Sequence, residues 1–96
     1  MKRKFLFMTA MILTATVINS FSALAAGWQR DHVGWWYSKD PKGYYKNEWL
    51  LDKNSGLYYY FGDYGYMVSE RWIGNYYLGK DGAMLTNTVT PDGYVV

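Results

Sequence analysis

The sequence contains no cysteine. That excludes a disulfide framework, a thiolate nucleophile and a thiolate metal site. There is one histidine, His32, flanked by Asp31, and it reads as a solvated turn residue rather than a catalytic base. Acidic residues stand singly. Asp63 and Asp81 each lie inside a Gly-x-x-Gly turn, which makes them turn formers and not an acid–base pair. The D-x-D-x-D-G spacing of a calcium loop is missing, as is a glycine loop that would cradle phosphate. The chain is therefore expected to be no enzyme, with no catalytic residue, metal or cofactor. At 96 residues it has room for at most one ordinary domain.

Positive charge is also scarce where it would matter. The formal net charge is +2, yet Lys2, Arg3 and Lys4 lie at the extreme N-terminus. From Gly27 onward seven Lys and Arg face eight Asp and Glu, a net of −1. A nucleic-acid footprint needs clustered Lys and Arg on the folded part, so no nucleic-acid partner is expected.

The first 26 residues have the three parts of a secretory signal peptide. Met1–Lys4 is basic, Phe5–Ile18 is an apolar run, and Asn19–Ala26 is more polar and ends in small residues. As a helix the apolar run would span about 21 Å, against a hydrocarbon core of roughly 30 Å. Ala23-Leu24-Ala25 fits the A-x-A cleavage pattern, with the cut before Ala26 or one residue later. The expectation is a cleaved signal peptide over 1–26, a secreted product at the cell wall or outside the cell, and no stable membrane insertion afterwards.

Aromatic residues are what the rest of the chain has in plenty. All five Trp, all eleven Tyr and all ten Gly lie from Gly27 onward, where Leu, Ile and Val are few. Large rings must do the burying, or line something, or both.

These rings recur. Trp28 is followed by Trp35-Trp36-Tyr37 and Gly43-Tyr44-Tyr45. Trp49 is followed by Tyr58-Tyr59-Tyr60-Phe61 and Gly65-Tyr66-Met67. Trp72 is followed by Tyr76-Tyr77-Leu78 and Gly82-Ala83-Met84. The opening tryptophans stand 21 and then 23 positions apart, a period that means a solenoid or an array. The aromatic runs have strand propensity. Asp40-Pro41-Lys42-Gly43, Gly62-Asp63-Tyr64-Gly65 and Gly79-Lys80-Asp81-Gly82 supply turns that close them. Each unit reads as a β-hairpin. The expected fold is all-β, a short solenoid of stacked β-hairpin repeats over residues 27–96, with no helix. The repeats run approximately 27–47, 48–70 and 71–87, with a partial fourth at 88–96. A lone hairpin is marginal in water, so stability is a sum over stacked interfaces. The tail from Thr88 to Val96 has one turn, at Pro91-Asp92-Gly93. It is expected to fray or to offer an edge that could pair with a second copy in a homodimer.

The motifs Gly34-Trp35-Trp36-Tyr37, Tyr58-Tyr59-Tyr60-Phe61 with Gly65-Tyr66-Met67, and Tyr76-Tyr77-Leu78-Gly79-Lys80-Asp81-Gly82-Ala83-Met84 resemble the cell-wall-binding repeats of Gram-positive bacteria and their phages. These are also called choline-binding repeats, and glucan-binding repeats are close relatives. The third unit is the nearest match, and the first is the loosest, with one extra residue in its turn. The resemblance implies a left-handed hairpin solenoid with ligand cages between consecutive hairpins. Carried over by position, one cage uses Trp28, Trp36 and Tyr60, and a second uses Trp49, Tyr59 and Tyr77. Trp72 and Tyr76 form half of a third. Met67 and Met84 match the family's methionine, and Tyr45 stands at that place in the first repeat. The implied partner is choline-bearing teichoic acid or a related surface glycan.

Elementary physics allows such a cage. A quaternary ammonium offers no hydrogen-bond donor, so only ring faces can hold it, at about 0.5–2 kcal/mol per wall. Tyr59 and Tyr76 stand where strong choline binders have Trp, and a tyrosine hydroxyl suits a sugar as well. Three readings stay open at this point: a choline-type wall-binding module, a glucan-type carbohydrate-binding module, and a structural or self-assembling surface protein.

Overall fold

The computed structural model describes residues 26–96. The expected leader lies outside these residues except for Ala26. Six strands follow one another: β1 Gly27–Arg30, β2 Trp35–Ser38, β3 Glu48–Asp52, β4 Leu57–Phe61, β5 Arg71–Ile73 and β6 Tyr76–Leu78. They form three separate two-stranded antiparallel sheets, β1-β2, β3-β4 and β5-β6. The fold is all-β, and no helix occurs among the described residues.

The hairpin turns fall between the opening tryptophan and the aromatic run. In the first, the Asp31 N–H donates to the Gly34 carbonyl at 3.1 Å. The Asp31 side chain also accepts from the N–H groups of Val33 and Gly34, an aspartate stabilising its own turn. In the second, Gly56 N–H donates to Asp52 O at 2.7 Å, and the Ser55 hydroxyl donates to Asp52 Oδ2. The third is the two-residue loop Gly74-Asn75 between Ile73 and Tyr76.

The turns at Asp40–Gly43, Gly62–Gly65 and Gly79–Gly82 do something other than close the hairpins. They lead each second strand into a third short segment that folds back on it, giving the isolated bridges Ser38↔Tyr44, Phe61↔Met67 and Leu78↔Met84. The hydrogen bonds Tyr45 N→Tyr37 O, Val68 N→Tyr60 O and Leu85 N→Tyr77 O repeat at the same separation. The first repeat therefore has no extra residue in this turn. Its glycine comes one place later, and Tyr44, not Tyr45, is the counterpart of Met67 and Met84.

Units are joined by backbone as well as rings. Met67 N–H donates to Trp35 O and Met84 N–H to Tyr58 O, both at 2.8 Å. Asn47 and Glu70, each two residues before an opening tryptophan, take left-handed φ of 52° and 53° and donate to Gly62 O and Gly79 O. Phe61 and Leu78 are wholly buried between units, with Trp28 and Tyr45 centroids 5.6 and 5.5 Å from the Phe61 ring.

The tail does not fray. Val89 bridges Val95, Val96 N–H donates to Thr88 O, and Thr90 is buried in a closed turn. By its hydrogen bonds this last piece repeats the second strand, turn and third segment of the earlier units, without an opening strand.

Candidate functional site

Cross-strand pairing decides which rings meet. Trp28 stands opposite Tyr37, Trp49 opposite Tyr60 and Trp72 opposite Tyr77. Side chains alternate along a strand, so the ring two residues before each partner shares the tryptophan's face. That ring is Trp35 in the first repeat and Tyr58 in the second; the third has Asn75 there.

Two cavities result. The first, about 320 Å3, is lined by Trp28 and Trp35 from repeat one, Tyr59 and Met67 from repeat two, and Asp81 at its rim. Trp28 meets Trp35 at 6.1 Å and Tyr59 at 4.9 Å between centroids, both nearly perpendicular. Arg30 lies 5.4 Å from the Trp35 centroid. The second cavity, about 350 Å3, is lined by Trp49, Tyr58, Tyr76 and Met84, with Trp49 and Tyr76 centroids 5.8 Å apart at 83°. Each pocket takes two rings from one hairpin and a ring and a methionine from the next. Trp35, Tyr58 and Tyr76 keep 39%, 42% and 55% of their surface in solvent, so part of each residue is accessible to a ligand.

This geometry redistributes the residues expected from sequence. Trp28, Trp49, Met67 and Met84 line the two pockets. Trp36 and Tyr60 are not in the Trp28 pocket, because each stands one residue past the ring that is. Tyr60 packs on Trp49 at 5.1 Å from the same hairpin, and Trp36 faces Tyr44 at 6.4 Å. Tyr59 joins Trp28 instead of Trp49. Tyr77 is buried against Trp72 at 5.2 Å, and Tyr76 takes the place expected for it beside Trp49. A one-residue slip carries a side chain to the opposite face, which accounts for each of these differences. Trp35 and Tyr58 were missed. Counting outward from the hairpin turns would have found them.

The third opening tryptophan is held by polar contacts of its own. Its Nε1–H donates to Asp92 Oδ2 at 3.0 Å, and Tyr94 stands perpendicular to it at 5.6 Å. Asp92 also accepts from the Thr90 hydroxyl at 2.6 Å. That bond first, and the indole second, hold its carboxyl below the ordinary range. Among the described residues no group of three or more His, Asp or Glu is placed to hold a metal ion.

Comparison with known proteins follows the same architecture. Residues 66–96 match the choline-binding repeat family model. Over those residues the chain carries choline-binding repeats. A lysin of Pneumococcus phage Dp-1 is 38% identical over 47 residues, which is 49% of this chain and 16% of the lysin. The autolysin LytC of Streptococcus pneumoniae, solved with a synthetic peptidoglycan ligand, superposes with a TM-score of 0.60 at 30% identity, over 74% of this chain and 19% of that one. The cell-wall endolysin of phage Cp-1, solved with choline, superposes with a TM-score of 0.58 at 29% identity, over 75% of this chain and 25% of that one. The chain thus spans a quarter or less of the length of each of these proteins.

Proposed function

We propose that this choline-binding-repeat protein is a non-catalytic, exported module that holds choline-bearing teichoic acid, or a wall polymer like it, in its two inter-hairpin aromatic pockets. The observation that carries this reading is the repeated construction of the pockets. Trp28, Trp35, Tyr59 and Met67 recur as Trp49, Tyr58, Tyr76 and Met84, with walls from two hairpins each time. Rings that served packing alone would be free to close on one another; these leave cavities at the lower end of the size of small-ligand sites.

Three ring walls give about 2–6 kcal/mol before ordering costs, which is millimolar binding at one site. Two sites on one polymer act together through effective concentration. The likeness to an endolysin solved with choline supports the same ligand here. The hydroxyls of Tyr58 and Tyr76 favour a second reading for the second pocket, a neutral glycan stacked on the rings.

The test is retention of the purified protein on choline resin, on glucan and on cell walls. Trp49→Ala should lose most retention on choline resin and walls, while Lys53→Ala, in an exposed hairpin turn, keeps it. If Trp49→Ala binds all three like the parent, the pockets are not the binding sites.

A further inference from the structure

A third aromatic cleft lies outside the two pockets, one repeat nearer the N-terminus. It encloses about 280 Å3 between Asp31, Trp36, Tyr44, Tyr64, Gly65 and Tyr66. Its position follows the same construction. Trp36 precedes Tyr37 as Tyr59 precedes Tyr60, so it holds the place of a second-repeat wall. Tyr44 holds the place of Met67: Tyr44 lies against Gly65 just as Met67 lies against Gly82. Tyr64 holds the place of Asp81 in its turn.

The two rings that an upstream hairpin would add are not among the described residues. Their side of the cleft is taken by Asp31 and Tyr66, joined by a 2.8 Å hydrogen bond from the Tyr66 hydroxyl to Asp31 Oδ2. Asp31 Oδ1 accepts from Val33 N–H at 2.9 Å and Gly34 N–H at 3.2 Å. Three fixed donors thus orient the carboxylate, and one of its roughly four lone-pair sites is left over. The Trp49 pocket holds only ring faces and a methionine, and the Trp28 pocket adds Asp81; in this cleft the carboxylate is oriented by three donors and keeps a place for one more.

We infer that the Asp31–Trp36–Tyr44 cleft is a separate binding site for an organic ammonium ion that carries N–H donors, such as a primary amine on a wall polymer. The ring faces of Trp36, Tyr44 and Tyr64 attract the positive charge, and the free lone pair of Asp31 takes an N–H. A quaternary nitrogen has no N–H to give, so between two amino alcohols that both carry a hydroxyl the cleft favours the one with N–H donors. Tyr64, 86% exposed, is the wall of the cleft nearest to solvent. The inference does not depend on what the other two pockets bind.

The experiment is titration of the protein with ethanolamine and, separately, with choline, following the indole N–H signals of Trp36, Trp28 and Trp49 by NMR. Ethanolamine should move the Trp36 signal with millimolar affinity, and more tightly than choline does. Asp31→Asn should weaken ethanolamine about fivefold at this signal. Tyr64→Ala, at a position too exposed to threaten folding, should weaken it as well, leaving Trp28 and Trp49 signals as in the parent. No movement of Trp36 with ethanolamine, or choline preferred there, overturns the inference. So does an Asp31→Asn protein whose spectrum is folded and whose ethanolamine affinity is unchanged.

Discussion

The indole nitrogen of Trp72 donates to the carboxylate of Asp92 at 3.0 Å, so the third opening tryptophan is held by its own chain where Trp28 and Trp49 face cavities. Asp92 belongs to a set. Its carboxyl is lowered by Thr90 and then Trp72, that of Asp31 by Tyr66 and then the Val33 N–H, and that of Glu48 by Lys39. A carboxyl depressed in the folded state adds stability above its unfolded value that disappears as pH falls through the folded one. The melting temperature should therefore hold steady from about pH 6 to 5 and fall below about pH 4. Asp92→Asn should lower the plateau and make the acid fall shallower. A melting curve independent of pH down to 2 would show that these bonds contribute nothing.

Pocket composition predicts opposite results for neighbouring tyrosines. Tyr58 lines the Trp49 pocket and Tyr59 the Trp28 pocket. Tyr58→Trp should tighten choline about threefold at the Trp49 signal and leave Trp28 as it was. Tyr59→Trp should do the reverse. The indole N–H shifts during a choline titration separate the two, and both variants acting on one signal would refute the assignment.

Gly82 has φ of +91°, and the thioether of Met67 occupies the space a β-carbon would need. Gly82→Ala strains the backbone and displaces Met67 from the first pocket. The expected cost is about 2 kcal/mol, or roughly 10 °C in a chain this small. Choline affinity should fall at Trp28 and be unaffected at Trp49. Thermal melting and the same titration check both.

Glu70 takes φ of 53°, where Asn47 and Asn87 take 52° and 55° at the equivalent junctions. Asparagine tolerates this region better than glutamate does. Glu70→Asn should raise the melting temperature by about 3 °C with no change in choline affinity. A fall would mean that the Glu70 side chain has a role the backbone does not reveal.

The array itself was legible in the sequence because its signals are local. The glycines at 65 and 82 and the tryptophans at 49 and 72 recur whatever their neighbours do. What the sequence concealed was register. In Tyr58-Tyr59-Tyr60 every position looks alike, and only the pairing of Trp49 with Tyr60 says which ring faces which way. That pairing is set by the Asp52–Gly56 turn, whose hydrogen bonds are contributed by Asp52 and Ser55. The turns rich in Gly and Asp further on attracted the hairpin assignment instead. The capping of Trp72 by Asp92 and Tyr94 was equally hidden, because it joins residues twenty positions apart that no repeat pattern links.

Three two-stranded sheets with no strand shared between them also make a particular kind of tether. Pulled from its ends, such a chain need not shear a continuous ladder of hydrogen bonds. Each junction is a separate latch of a few backbone bonds and a ring contact, and it can let go while the next stays shut. A ligand seated between two hairpins bolts one latch. The grip on a polymer would then stiffen with every site filled, and under load the protein would lengthen in steps of one hairpin instead of failing all at once.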